Sequence, residues 1–282
     1  MTKKYKTSTA FRQALDDHLR MESKKRNIEI TRLKKQVAFD RFLCRVFQNR
    51  RSPWYLKGGY ALELRFADAT ITRDIDLALE EEKLISEIQS NNYALLHELL
   101  QDIATIDIDD FFTFIVGSCK GQLEGAPEKG ARFPIESQMD GRTFSKFSLD
   151  ISLGDVIIQP IDKITPMNFL AFAGISVIDF PMISVEQQFA EKLHAYTRPR
   201  KTLNSRVKDL LDMTILVDKA HLNSKRTAAA LHKTFEIYKS HAIPKTFPAP
   251  PPTWERPFFN LAGEDMQLAY QRIASFYDML PL

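Results

Sequence analysis

Residues 56–79 read LKGGYALELRFADATITRDIDLAL, and the folding of this stretch decides what the rest of the chain can be. Gly58 and Gly59 stand near its start, and Asp74 and Asp76, separated only by Ile75, sit in an apolar run at its end. WYL (54–56) and DIDLAL (74–79) have the bulk of strands and YALELRFA (60–67) the composition of a helix, so the segment predicts strand, glycine turn, helix, strand. Side chains alternate along a strand, which sends Ile75, Leu77 and Leu79 to one face and Asp74, Asp76 and Ala78 to the other. Two strand rises place the carboxylates about 7 Å apart. An ionised carboxylate in such a setting is costly unless something pairs with it. A divalent cation answers that need: Mg2+ takes oxygen ligands and is commonly held by one or two carboxylates plus substrate phosphates. The glycines permit close backbone approach, and the amides of a helix start favour phosphate.

A second stretch, FSLDISL (147–153), repeats the pattern. Phe147, Leu149, Ile151 and Leu153 go inward, and Ser148, Asp150 and Ser152 outward. If this strand lies beside the first, Asp150 completes a set of three carboxylates able to activate a hydroxyl and stabilise a departing pyrophosphate through bound metal. The ordinary alternatives are a solvated strand face for the aspartates and a plain turn for the glycines.

Working outward, residues 8–50 predict charged helices. Ser8 or Thr9 is the expected cap, Phe11, Leu15 and Leu19 form one apolar stripe, and Leu33, Val37, Phe42 and Val46 form a second. Residues 80–104 predict one long helix, and FFTFIVGS (111–118), ARFPIESQM (131–139) and TFSKFSLDISL (143–153) three strands joined by glycine-containing turns. Prolines mark a break at 158–184. Beyond it, SVEQQFAEKLHAYTR (184–198), with a Ser184–Gln187 capping box, and SRVKDLLDMTILVDKA (205–220) predict helices. IPKTFPAPPPTWERP (243–257) reads as an extended connector anchored by Trp254, and GEDMQLAYQRIASFYDML (263–280) as a last helix. The expected fold class is α/β: a mixed sheet with N-terminal bracing helices (1–50), a core (51–165) and a C-terminal helical lobe (166–282).

The 282 residues, 44% hydrophobic and 27% charged, suffice for a real core and exclude a disordered polymer. A net charge of +3 says little by itself, because clustering matters more than the sum. One such cluster spans residues 192–208, where Lys192, Arg198, Arg200, Lys201, Arg206 and Lys208 occur with no acid among them. It suits a triphosphate or an RNA backbone, or is a solvated helix–loop–helix surface. His194 has no ligand partner and reads as structural or exposed. Cys44 and Cys119 have no paired spacing, which argues against a disulfide framework or zinc site and fits a reducing cytoplasm. The N-terminus lacks a signal-peptide core and no run approaches a membrane span, so a cytoplasmic protein without a membrane partner is expected.

The glycine pair, the D-x-D strand and the later aspartate together resemble the nucleotidyltransferase superfamily that includes DNA polymerase β. Residues 60–73, between Gly59 and Asp74, make a longer spacer than is common there. The downstream E-K-L-x-A helix and the R-x-K-D-x-x-D run at 206–212 are similar to the AbiEii/AbiGii toxin family, MenT-type toxins included. The resemblance covers residues 54 to about 217. It implies metal binding by Asp74, Asp76 and Asp150, phosphate contact by Lys192 and a catalytic role for Asp209. It also implies nucleotide contacts at Lys57, Gly58, Gly59, Thr72, Arg73, Arg206 and Lys208. Many members carry serine where this chain has Thr72, so a role particular to serine does not transfer. The implied activity is transfer of a nucleoside monophosphate from a nucleoside triphosphate to an acceptor hydroxyl, with Mg2+ or Mn2+. The implied acceptor is the 3′ end of tRNA, whose modification blocks translation, and the implied partner is an antitoxin that acts as a regulator. Two alternatives stay open: a protein or small-molecule acceptor, and a non-catalytic nucleic-acid or partner-binding relic.

Overall fold

The computed structural model describes residues 4–49, 52–66, 69, 71–90, 93–121, 130–155, 157–201 and 203–282. The chain divides into two compact units: Met1–Leu56, Arg73–Gly154 and Lys163–Pro181 form one, and Lys57–Thr72, Asp155–Asp162 and Met182–Leu282 the other. Among the described residues no helix is long and apolar enough to cross a membrane.

The first unit is built on a sheet of seven strands: β1 (Trp54–Lys57), β2 (Asp74–Leu79), β3 (Thr113–Val116), β4 (Gly130–Met139), β5 (Arg142–Leu153), β6 (Asp162–Ile164) and β7 (Phe180–Met182). Their order is β3-β4-β5-β2-β1-β7-β6. β2 runs parallel to β5, whereas β4 is antiparallel to both β3 and β5, so the sheet is mixed as expected. The short β6 and β7 fall in the proline-marked break, where three residues each give too little pattern to read.

Helices α1 (Ser8–Arg26) and α2 (Ile30–Val46) brace this sheet. Phe39 and Phe42 on α2 meet Phe147 of β5 edge-on, at ring separations of 4.9 and 6.0 Å. The cap of α1 is Thr7, whose hydroxyl accepts from the Ala10 amide, rather than Ser8 or Thr9. Thr9 is used elsewhere: its hydroxyl donates to Asp140 in the β4–β5 turn. From the next turn of α1, Arg12 donates to the carbonyls of Met139, Arg142 and Thr143 at 2.6, 3.2 and 3.2 Å. Arg41 and Arg45 of α2 close on the fully buried Asp110 at 2.7 and 2.8 Å.

The single helix expected over 80–104 is two, α4 (Glu82–Ser90) and α5 (Ala94–Thr105). Tyr93 just before α5 has φ of 67°, incompatible with a continuous helix. Two consecutive asparagines precede it, and asparagine competes for backbone hydrogen bonds in turns. Asn91 and Asn92 themselves lie outside the described residues.

The second unit gathers α3 (Gly58–Arg65), α6 (Val185–Thr197), α7 (Val207–Lys219), α8 (Ser224–Tyr238), α9 (Glu255–Ala262) and α10 (Met266–Asp278) around Phe189, Leu193, Leu210, Met213, Leu231 and Phe258. Ser184 caps α6 by accepting from the Gln187 amide. The Gln187 side chain reaches away from the box, accepting from Ile158 and donating to Glu191. Two helices escaped the sequence reading. α8 is capped by Asn223, and α9 starts within the stretch read as an extended connector. Pro257 does not prevent this, because the amide it lacks belongs to a first turn, which has no intrahelical partner anyway. Trp254 does anchor the connector: it is buried, and its indole donates to the Asn204 carbonyl at 3.0 Å.

Candidate active site

On β2 the alternation is as the pattern requires. Ile75, Leu77 and Leu79 are completely buried, while Asp74 and Asp76 are half-buried on the other face. Ala78, on the aspartate face, is buried too, so the open part of that face is confined to the first half of the strand. β5 lies directly beside β2, with Asp76 level with Asp150 and Asp74 level with Ser148. Neighbouring strands are roughly 4.8 Å apart, so three carboxylates share one small area of sheet.

A residue that the sequence reading did not single out completes this area. Arg132 of β4 stands opposite Asp150 and grips it with two bonds, Nε to Oδ1 at 2.7 Å and Nη2 to Oδ2 at 2.6 Å. Paired, parallel bonds of this kind are among the stronger ionic contacts in proteins. The bond to Asp150 raises the Arg132 pKa above the ordinary arginine value; burial opposes this, and the charges of Asp74 and Asp76 add to it. One guanidinium therefore faces three carboxylates.

That arrangement tests the expected metal. Among the described residues, no three His, Cys, Asp or Glu side chains group so as to enclose an ion. Both oxygens of Asp150 already accept from Arg132. Asp74 and Asp76 nevertheless offer hard oxygen donors on one face, and a positive group already sits beside them. A pair of carboxylates is enough for Mg2+ or Mn2+ when water and phosphate oxygens fill the remaining positions. The donor set fits such an ion at Asp74 and Asp76, with Asp150 bound to Arg132.

The glycine pair belongs to the second unit, and each glycine has its own reason. Gly58 has φ of 66°, a conformation that side chains disfavour. A Cβ on Gly59 would lie 3.0 Å from the Thr72 Cβ and Oγ1, so this helix start and Thr72 are pressed together. The Thr72 amide in turn donates to Glu63, and Gln188 of α6 donates to the Gly58 carbonyl. Lys57 is buried between Asp155 at 2.5 Å and Glu191 at 2.9 Å. Burial opposes its charge, but Asp155 and then Glu191 outweigh that and hold the lysine well above its usual pKa. Arg73 belongs to the first unit and is exposed.

Lys192 of α6 and Asp209 of α7 do come together, within the second unit. The ammonium lies 3.0 Å from Asp209 and 2.6 Å from Asp212, and Arg206 reaches Asp209 at 3.5 Å. Here too burial opposes the lysine charge, and the two aspartates overcome it, raising the pKa. Asp212 was not assigned a role from sequence, although its spacing from Asp209 puts both on one helix face. Lys208 is exposed on α7. His194 is structural, as read: it is buried and hydrogen-bonded to Ser240 at 2.7 Å, and burial followed by the neighbouring His241 pushes its pKa down to about 4.

The family described as nucleotidyl transferase AbiEii toxin, type IV TA system, matches residues 41–281. Among solved structures, the nucleotidyltransferase toxin MenT4 from Mycobacterium tuberculosis H37Rv superposes with a TM-score of 0.61 at 14% identity, covering 94% of this chain and 88% of that one. JHP933 from Helicobacter pylori superposes with a TM-score of 0.44 at 13% identity, over 87% of this chain and 91% of that one. No curated protein matches the sequence. The likeness to MenT4 establishes the fold, and the match over residues 41–281 shows that this chain belongs to the AbiEii family of nucleotidyl transferase toxins of type IV toxin–antitoxin systems.

Proposed function

We propose that this protein transfers a nucleoside monophosphate from a nucleoside triphosphate to the terminal hydroxyl of an RNA, with the 3′ end of tRNA as the acceptor, and so stops translation. The observation that carries the reading is the register of β2 and β5, which gathers Asp74, Asp76 and Asp150 on one face, with Arg132 bound to Asp150. In the reaction the acceptor oxygen bonds to the α-phosphorus, the bond from that phosphorus to pyrophosphate breaks, and the hydroxyl proton passes to the carboxylate face. Mg2+ or Mn2+ held by Asp74 and Asp76 would supply charge neutralisation at the triphosphate and lower the pKa of the attacking hydroxyl. Asp150 orients Arg132, which keeps a fixed positive group beside the reacting phosphates. Catalysis of this kind comes from positioning and preset charge. Membership of a toxin–antitoxin family calls for a cognate antitoxin, which we take to be a separate regulator. Lys192 and Asp209 are assigned to the nucleotide by resemblance alone. Each is already engaged, so that role requires them to change partners.

The test is incubation of the chain with each α-labelled nucleoside triphosphate and divalent metal, in the presence of tRNA, total protein and small acceptors. Label should enter tRNA. An Asp76→Ala variant should lose about 10³-fold or more of that rate, equivalent to roughly 4 kcal/mol of barrier. Label entering protein or small molecules would replace the acceptor, and an undiminished Asp76→Ala variant would remove the strand face from the chemistry.

A further inference from the structure

A groove of about 540 Å3 starts at Asp74 and lies wholly within the first unit. Its walls carry four cations, Lys35 from α2, Arg73 just ahead of β2, Lys120 beyond β3 and Lys146 on β5, against two acids, Asp74 and Glu136. Among the described residues, Lys35, Arg73 and Lys120 form no ion pair. Lys146 pairs with Glu136 at 2.9 Å yet keeps 68% of its side chain exposed. The wall near Lys120 is fixed rather than loose. The Lys120 amide donates to the Arg132 carbonyl at 2.8 Å, and the Arg132 amide to the Gly121 carbonyl at 3.2 Å. Gly117 lies so close to Pro134 that an added Cβ would come within 2.7 Å of its ring. Between the cations Ile115 is 52% exposed, an unusual position for a large apolar side chain on a charged surface. The volume lies within the ~300–1,000 Å3 range of formed ligand sites.

Resting on the nucleotidyl-transfer reading of Asp74 and Asp76, we infer that this groove receives the 3′-terminal stretch of a single-stranded RNA. The phosphates lie on Lys35, Arg73, Lys120 and Lys146, a base or ribose meets Ile115, and the terminal hydroxyl points to Asp74. Three observations lead to this occupant. Asp74 forms part of the wall, so an acceptor whose end reaches the carboxylates has the groove as its adjoining path. Four cations line the same wall as Asp74, which suits a phosphate backbone. The apolar side chain among them serves a ligand with flat apolar faces between its charges, which an acidic peptide lacks.

The experiment is a fluorescence-anisotropy titration of the full chain with a short, labelled single-stranded RNA bearing a free 3′ hydroxyl, over roughly 0.05–0.2 M salt. For wild type, log K should fall with log salt by about 0.7 per phosphate contact. The double variant Lys35→Gln/Lys120→Gln should bind about tenfold more weakly and show a slope shallower by about 1.4, the value for two lost contacts. The control Lys225→Gln/Lys233→Gln, on α8, should change neither. Wild-type affinity and slope in the Lys35/Lys120 variant, or salt-dependent binding of an acidic peptide in place of RNA, overturns the groove. An Asp74→Asn variant separates the two readings. If it transfers nucleotide at the wild-type rate, the reaction at the carboxylates falls and the inference falls with it. If it loses transfer while the Lys35/Lys120 variant binds RNA normally, the groove alone falls.

Discussion

The strand face of the first unit and the α6–α7 pair of the second both set basic side chains against several carboxylates, but they differ in exposure. On the strands one guanidinium, with 45% of its side chain exposed, faces Asp150, Asp74 and Asp76. On the helices Lys192 and Arg206 face Asp209 and Asp212, whose side chains are only 6% and 2% exposed. Ion pairing is required there, because an uncompensated interior charge costs several kcal/mol. The strand face keeps Asp74 and Asp76 only half-buried, in partial contact with solvent. That access, rather than the presence of ionised groups, marks the place where a cation bound to phosphate would be welcome. A buried, ion-paired cluster is what a helix core requires of its charges.

Three measurements put that contrast at risk. The largest effect is expected on the helices: Lys192→Met removes the cation that Asp209 and Asp212 share and should cost about 3–5 kcal/mol in urea unfolding. A Lys192→Met protein that keeps its stability but no longer transfers nucleotide would move this lysine to the substrate and dissolve the distinction. On the strands, Arg132→Gln should cost only about 1 kcal/mol of stability, since the pair is screened by solvent. The same variant should bind Mn2+ more tightly, by roughly fivefold or ~1 kcal/mol for one repelling charge removed nearby, as titrated calorimetrically. Weaker Mn2+ binding would mean that Arg132 builds the cation site rather than competing with it. A further effect concerns acid. His194, held near 4 by burial and then by His241, is neutral in the fold and protonates more readily when unfolded. Its contribution is therefore present above about pH 6.5 and lost as the pH falls from there toward 4. The urea midpoint should drop between pH 7 and 5 by the equivalent of about 1–2 kcal/mol, and His194→Gln should flatten that drop.

Much of the strand face was legible because period-two alternation names the outward residues without any knowledge of partners. Asp74, Asp76 and Asp150 follow from it directly, and so does the mixed α/β class. Arg132 does not. The β4–β5 hairpin turns at Asp140 and Gly141, both with positive φ, 56° and 67°, as a two-residue hairpin turn demands. Counting outward from that turn would set Arg132 opposite Leu149. An irregularity between Ser137 and Gln138 shifts the pairing by one residue and brings Arg132 to Asp150 instead. A one-residue shift exchanges the faces of every side chain beyond it. Nothing in the local sequence announces such a bulge. The partners of Lys57 were hidden for another reason: Asp155 lies 98 residues away in sequence, and ion pairing across that separation leaves no periodic signal. α8 and α9 were passed over because proline and polar composition dominated their surroundings, whereas burial of Leu231 and Phe258 decides their fate.

The hold of α1 on the hairpin turn bears on what the strand face needs from the rest of the chain. The family match begins at residue 41, so Thr9 and Arg12 lie in a part of the chain that it does not reach. Yet these two side chains fasten four groups around the turn from which the β4–β5 alignment is measured. A segment ahead of the matched residues thus acts as a jig for the strand face. Trimming the protein to residues 41–281 would leave the aspartates in place but loosen the gauge that sets arginine against acid.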